Sequence, residues 1–310
     1  MTRILRIAAA QSGPVQLAES KTQAVSRLVE MMKEAAAKGC DLVVFTELAL
    51  CTFFPRYYEE DRSQMDEWFE REFPSQITRP LFDTAIELGI GFYLGYAELT
   101  EDGQHFNSSV LVDKAGNIIG KYRKIHLPGH GEFDPDRSFQ HLEKRYFKPG
   151  DLGFPVWRTM GGVMGMAICN DRRWSETYRV MGLQGVELVM IGYNTPSVNS
   201  QDPSEGTEKR KFHNLLSLQA GAYQNSTFVV GVAKAGSEDG HHLFGDSCII
   251  DPNGEVLVKA ETEEDEVIVA DCDLEISAFG KKTVFNFEKH RRIEHYGLIT
   301  SQTGVIAPAE

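Results

Sequence analysis

Lys38-Gly-Cys-Asp-Leu-Val-Val-Phe-Thr-Glu47 closes a helix, runs as a short apolar segment and stops on an acid. Upstream, Lys21 to Lys38 has helical spacing through Ala24, Leu28, Met31 and Ala35, and Gly39 ends it. Asp41 to Thr46 has the length and composition of a buried strand, so Glu47 falls where a strand opens into a loop. In α/β enzymes that is where functional groups sit. The same pattern recurs at Gln184-Gly-Val-Glu-Leu-Val-Met190, and Val110-Leu-Val-Asp-Lys-Ala-Gly-Asn-Ile-Ile119 is echoed by Cys248-Ile-Ile-Asp-Pro-Asn-Gly-Glu-Val-Leu257. The chain therefore reads as two similar halves.

Working outward, the first half predicts a strand at Ile4–Ala10, a helix near Pro80–Leu88, a strand at Ile90–Tyr96 and a hairpin from Ser109–Asp113 to Asn117–Lys121, turning at Ala115-Gly116. The second predicts strands at Val163–Ile168, Glu187–Ile191 and Thr227–Ala233, helices at Glu176–Leu183 and Glu208–Tyr223, and a hairpin from Ser247–Asp251 to Glu255–Lys259. Two mixed sheets face to face, with helices outside each, give an α/β fold: a four-layer α-β-β-α sandwich with an internal pseudo-repeat. No interdomain linker is visible. Ser197–Gly206 reads as a surface loop over the sheet ends, and the charged run Glu261–Glu266 as a solvated turn.

Over 310 residues the net charge is −13, a field that repels phosphate backbones and anionic membranes, so nucleic acid and membrane partners are not expected. The N-terminus lacks the long apolar core and cleavage site of a secretion signal, and five cysteines without regular spacing argue against a disulfide framework. Both point to the cytoplasm. There is no Cys-x-x-Cys pair, and the Pro and Gly between His126 and His130 prevent a helical ligand face, so neither metal nor any other cofactor is expected.

Cys169 ends an apolar run and precedes the polar turn Asn170-Asp-Arg-Arg-Trp174, which would expose a thiol on a rigid base. Cys40, Cys248 and Cys272 read as structural; Cys51, four residues after Glu47, could line the same cleft. A free thiol is mostly protonated at neutral pH and needs a base or a positive charge beside it. Glu47 could accept its proton, and Lys124, in Tyr122-Arg-Lys-Ile-His-Leu127, could stabilise the thiolate or the oxyanion formed on attack.

Phe45-Thr-Glu-Leu48, Tyr122-Arg-Lys-Ile-His126 and Ile168-Cys-Asn-Asp171, in this order and at these separations, resemble the Glu-Lys-Cys signature of the nitrilase superfamily of carbon–nitrogen hydrolases. Lys124-Ile-His-Leu-Pro-Gly-His130, Phe139-Gln-His-Leu-Glu-Lys-Arg145, Pro149-Gly-Asp-Leu-Gly-Phe154, Cys169-Asn-Asp-Arg-Arg-Trp174 and Gly192-Tyr-Asn-Thr195 narrow the resemblance to the bacterial N-carbamoyl-D-amino-acid amidohydrolase branch. Asn286-Phe-Glu-Lys-His-Arg291 and His295-Tyr-Gly-Leu298 carry it toward the C-terminus. The resemblance implies one domain over 1–310, with a C-terminal segment of about 280–310 packed on the domain or at a subunit interface of a homo-oligomer. It also implies a covalent thioester-like intermediate, with Cys169 as nucleophile, Glu47 as general base, Lys124 at the oxyanion and Glu143 beside Lys124. Thr46 stands where proline is frequent in the family, which predicts a local backbone change.

The substrate implied is an N-carbamoyl amino acid, which an acidic protein can attract only through local positive charge. Arg172 and Arg173 supply that charge, and the resemblance puts both at the substrate carboxylate with Asn194 and Thr195, and His126, His141 and Asn170 at the carbamoyl end. On the residues alone, the arginines could instead form a salt bridge to Asp171 or a solvated face, and one of the two is expected to be structural. D-selectivity follows from resemblance only. An amidase or nitrilase of the same superfamily, a non-catalytic binding protein and a zinc amidohydrolase are the competing readings; the second would lack one of the three central residues, and none is missing.

Overall fold

Two six-stranded sheets are built on the same strand plan. The computed structural model describes residues 2–137 and 139–309. The first sheet is laid down by β1 (Ile4–Gln11), α1 (Lys21–Ala37), β2 (Leu42–Val44), α2 (Arg79–Leu88), β3 (Gly91–Leu99), β4 (His105–Val112) and β5 (Ile118–Arg123). After the short α3 (Glu143–Tyr146), the second follows as β6 (Val156–Thr159), β7 (Gly162–Ile168), α4 (Ser175–Leu183), β8 (Leu188–Tyr193), α5 (Thr207–Asn225), β9 (Phe228–Ala233), the hairpin β10 (Ala235–Glu238) and β11 (His241–Phe244), then β12 (Cys248–Ile250) and β13 (Val256–Lys259). Strand β14 (Glu266–Asp273) then leads to α6 (Leu274–Lys282), α7 (Phe287–His290) and α8 (Gly297–Ser301).

In sheet order the first is β14-β1-β2-β3-β4-β5 and the second β13-β12-β9-β8-β7-β6. In each half the first three strands of the repeat run parallel and the next two antiparallel, so β1, β2, β3, β4 and β5 correspond to β7, β8, β9, β12 and β13. Three elements escape the periodicity argument. Strand β6 pairs with β7 as an antiparallel edge, β14 closes the first sheet beside β1, and β10–β11 form a separate two-stranded ribbon.

The alternation of β1 explains the layering. Ile7 and Ala9 join Leu42, Val44 and Tyr93 in the core between the sheets, where they meet Met164, Met166 and Ile191 of the second. Ala8 and Ala10 point the other way, into a core shared with Leu28, Met32 and Ala35 of α1 and Leu81 and Ala85 of α2. Both faces are buried, as parallel strands require. Helix α1 opens with a Ser20–Gln23 capping box, and Gly39 leaves it at φ +76°, where a glycine carries no Cβ penalty. Among the described residues, no helix is long and apolar enough to cross a membrane.

Candidate active site

Thr46 and Glu47 lie in the seam between the two sheets, clasped by a glycine from each. A Cβ at Gly95 of β3 would stand 2.7 Å from the Glu47 Cα, and one at Gly192 of β8 would stand 2.5 Å from the Glu47 nitrogen. Thr46 occupies the proline-type position and uses what proline lacks, since its hydroxyl donates to the Tyr193 carbonyl at 3.0 Å and lies 3.3 Å from the Asn194 Oδ1. Asn194 in turn donates from its backbone N–H to Glu47 Oε2 at 3.0 Å and from its side chain to the Glu47 carbonyl at 3.0 Å. The acid is thus held by the far sheet.

Lys124, one residue past β5, is completely buried and donates to Glu47 Oε1 at 2.7 Å and Glu143 Oε2 at 2.6 Å. Burial works against its charge, but the charge of Cys169 once that thiol ionises, and those of Glu143 and Glu47, more than offset this and raise its pKa above the ordinary lysine value. The third ammonium hydrogen has no partner among the described residues and is free for an incoming oxygen. Glu143 is held at the start of α3, where His141 Nε2 meets its other oxygen at 2.9 Å. Burial penalises its charged form, and the Lys124 charge and the His141 hydrogen bond prevail to lower its pKa.

Cys169 follows β7 at φ +50°, a strained conformation for a non-glycine residue at a sharp strand-end turn. The sequence argument expects an exposed thiol; the residue is only 6% exposed. Burial, and then the charge of Glu47, push its pKa up to about 11, so the resting group is a thiol and needs a base. Its sulfur and oxygens of Glu47 and Glu143 all lie within 4.8 Å of one another. Such a trio could ligate a cation, but the Lys124 ammonium already bridges the two carboxylates.

The two arginines of the turn part company. Arg172 is 1% exposed and donates to the Cys169 carbonyl at 2.6 Å, to Asn214 at 2.7 Å and to Thr195 at 2.9 Å, with its guanidinium over the Tyr193 ring. It braces the nucleophile turn. Arg173 has an exposed face and, among the described residues, neither a hydrogen bond nor an ion pair; burial of its head and the neighbouring Arg172 charge push its pKa down to about 10. Among the described residues Asp171 pairs with neither arginine, so the salt-bridge alternative does not hold; it bonds Tyr122 and His126 instead. Asn170 donates to the His126 carbonyl at 3.1 Å, and the His126 ring stacks on Trp174 at 4.8 Å.

Cys51 does not line the cleft. Its thiol lies in a separate apolar cluster with Leu48, Phe53 and Phe54, and burial pushes its pKa up to about 12. Cys248 and Cys272 are likewise core residues, and Cys40 is buried in the α1 core. The segment after Glu47 is pinned by a buried network in which Glu238 accepts from Phe53 N–H and Arg56, and Lys234 joins Glu238 to the Cys51 carbonyl.

Sequence reasoning missed Asn107, whose amide donates to Glu47 Oε1 at 2.8 Å, and the clasping glycines. A polar residue in a buried strand and glycines within apolar strand runs were the available signals. Together, Glu47 Oε1 accepts from Lys124 and Asn107, and Oε2 accepts from Asn194, leaving a lone pair on Oε2 to take a proton. A buried thiol, a base with one open site and an ammonium with one free hydrogen suffice for attack on a carbonyl or nitrile carbon.

Residues 6–279 match the family described as carbon-nitrogen hydrolase. An N-carbamoylputrescine amidase from Arabidopsis thaliana is 30% identical over 293 residues, covering 90% of this chain and 91% of that protein. A nitrilase from Pyrococcus abyssi is 31% identical over 295 residues, covering 94% and 99%. Among solved structures, a carbon-nitrogen hydrolase from Helicobacter pylori superposes with a TM-score of 0.84 at 24% identity, over 96% of this chain and 99% of that one.

Proposed function

The chain belongs to the carbon-nitrogen hydrolase family, within the nitrilase superfamily, and from that premise we propose that it hydrolyses N-carbamoyl-D-amino acids to the D-amino acid, carbon dioxide and ammonia. Glu47 Oε2 takes the thiol proton as Cys169 Sγ attacks the ureido carbon. The oxygen of the tetrahedral adduct receives the free hydrogen of Lys124. Collapse breaks one carbon–nitrogen bond, and Glu47 returns its proton to the departing nitrogen. Water, deprotonated by the same carboxylate, then releases the carbonyl from sulfur, and the carbamate loses carbon dioxide.

The observation that carries the substrate assignment is the unpaired cation at Arg173. Next to Arg172, and influenced by Arg210, it concentrates positive charge beside the nucleophile of a chain whose net charge is −13. A substrate carboxylate would relieve that repulsion and find a bidentate donor. N-carbamoylputrescine, the compound in the Arabidopsis relative's name, carries the same ureido group but an ammonium at its far end, which Arg173 would repel. Preference for the D series rests on the motif resemblance from Lys124 to Thr195. Asn194, Thr195 and Arg172 are assigned to shaping the site behind Arg173, and His126, His141 and Asn170 to the carbamoyl end. The assignment also includes a homo-oligomer, supported by the exposed apolar residues of the C-terminal segment.

A panel of D- and L-N-carbamoyl amino acids, their uncharged amides, N-carbamoylputrescine and nitriles tests the assignment, with ammonia and amine release followed separately. The highest kcat/KM is expected for the D-carbamoyl acids. Arg173→Ala should lower that value by about 1.5–3 kcal/mol, roughly ten- to hundredfold, and affect the uncharged amides much less. Equal losses on both, or wild-type preference for the putrescine compound, would overturn the carboxylate assignment.

A further inference from the structure

We infer that Asp171 is a positioning residue that joins the segment carrying Cys169 to the segment carrying Lys124 and sets the tautomer of His126. This rests on the proposed use of Cys169 and Lys124. The Asp171 carboxylate is completely buried, yet no arginine or lysine pairs with it among the described residues. Four donors converge on it. Oδ2 accepts from the Tyr122 hydroxyl at 2.7 Å and the Ile168 N–H at 3.2 Å; Oδ1 accepts from the His126 backbone N–H at 2.9 Å and lies 2.8 Å from its ring Nδ1.

These donors flank the reacting groups. Ile168 is the last residue of β7 and immediately precedes Cys169, whose φ of +50° is held only if both sides of the turn are fixed. Tyr122 lies on β5, and His126 is two residues beyond Lys124. One carboxylate therefore sets the spacing between a strand end of the second sheet and a strand end of the first, across which the thiol must meet the ammonium. Burial, and then the charge of Asp171, hold the Tyr122 pKa well above its usual value, so the phenol keeps its proton and donates.

An ionised carboxylate can only accept, so the short contact to His126 requires the proton on Nδ1. In the neutral imidazole Nε2 is then left as an acceptor, suited to an N–H of a carbamoyl group. Trp174 at 4.8 Å and Phe154 at 5.9 Å stack nearly parallel to the imidazole and prevent the ring from turning over.

Two measurements test this. In the wild-type protein, nitrogen-15 imidazole shifts should show His126 protonated at Nδ1; this needs no substrate and does not depend on which compound is hydrolysed. Protonation at Nε2 alone overturns the inference. In Asp171→Asn, one end of the side chain no longer accepts, and a misplacement of the thiol by about an ångström should lower kcat by about a hundredfold while KM moves only a few-fold. Kinetics are read on whichever panel compound the wild type turns over fastest. Tyr122→Phe removes a single donor and leaves the His126 contact, so it should keep the Nδ1 tautomer and lose less activity. If Asp171→Asn melts earlier but retains wild-type kcat below its melting range, the residue is only structural and the inference fails.

Discussion

At the residue scale, the site holds a thiol in its neutral form and keeps the base that ionises it within reach, and these two properties can be separated. Burial is the main reason the Cys169 pKa is pushed up to about 11, and the Glu47 charge adds to it, whereas Lys124 acts in the opposite direction. Glu47→Gln removes one raising contribution and leaves the lowering one, so the thiol pKa should fall and the thiolate fraction at pH 8 should grow. The variant is expected to lose hydrolysis by about a hundredfold or more, as for the loss of a general base. Its Cys169 should nonetheless be alkylated by iodoacetamide faster than in the wild type at that pH. Parallel loss of alkylation and hydrolysis would show that Glu47 does not oppose thiol ionisation. Cys169→Ala should abolish turnover, with alkylation by mass disappearing from that position alone.

At the element scale, the clasp around Glu47 makes close backbone approach a catalytic requirement. Gly192→Ala would drive a methyl to 2.5 Å from the Glu47 nitrogen and Gly95→Ala to 2.7 Å from its Cα, contacts that only a backbone shift can relieve. Each is expected to cost about 1–3 kcal/mol of stability, seen as a lowered denaturant midpoint, and to reduce kcat beyond what the folded fraction explains. An unchanged kcat would mean the seam tolerates a wider opening. Much of this frame was legible beforehand. The strand at Asp41–Thr46 and the repeat of it before Gly192 follow from local pattern, and the set Glu47, Lys124, Cys169 in that order from resemblance to the family signature. What was not legible depends on partners remote in sequence: Asn107 and Asn194 reach Glu47 across 60 and 147 residues. The burial of Cys169 was missed because a polar turn in sequence was taken for a solvated one in space. Strand β6 is short and shows no strong alternation, and β14 became a sheet edge only by returning to β1.

At the scale of the whole molecule, Leu298, Ile299 and Ile293 on the C-terminal segment are 70%, 59% and 69% exposed, apolar side chains that a second copy could cover. The homo-oligomer assigned above would cover them. Leu298→Glu is expected to shift the sedimenting species toward a single chain, and an unchanged mass would place any subunit contact elsewhere. The repeated strand plan also divides the chemistry between its copies. Ile7 pairs with Leu42 as Met164 pairs with Leu188, and five further residues along each strand lead to Ser12 in one half and Cys169 in the other. The Ser12 hydroxyl is buried and, among the described residues, makes no hydrogen bond. Both halves share the same scaffold, but only one presents a sulfur at this corner, while the Glu47 carboxylate and the Lys124 ammonium come from the other. Neither half contains a complete set, so the site exists only where the two copies of the plan meet, and a half standing alone would carry a thiol without its base or a base without its thiol.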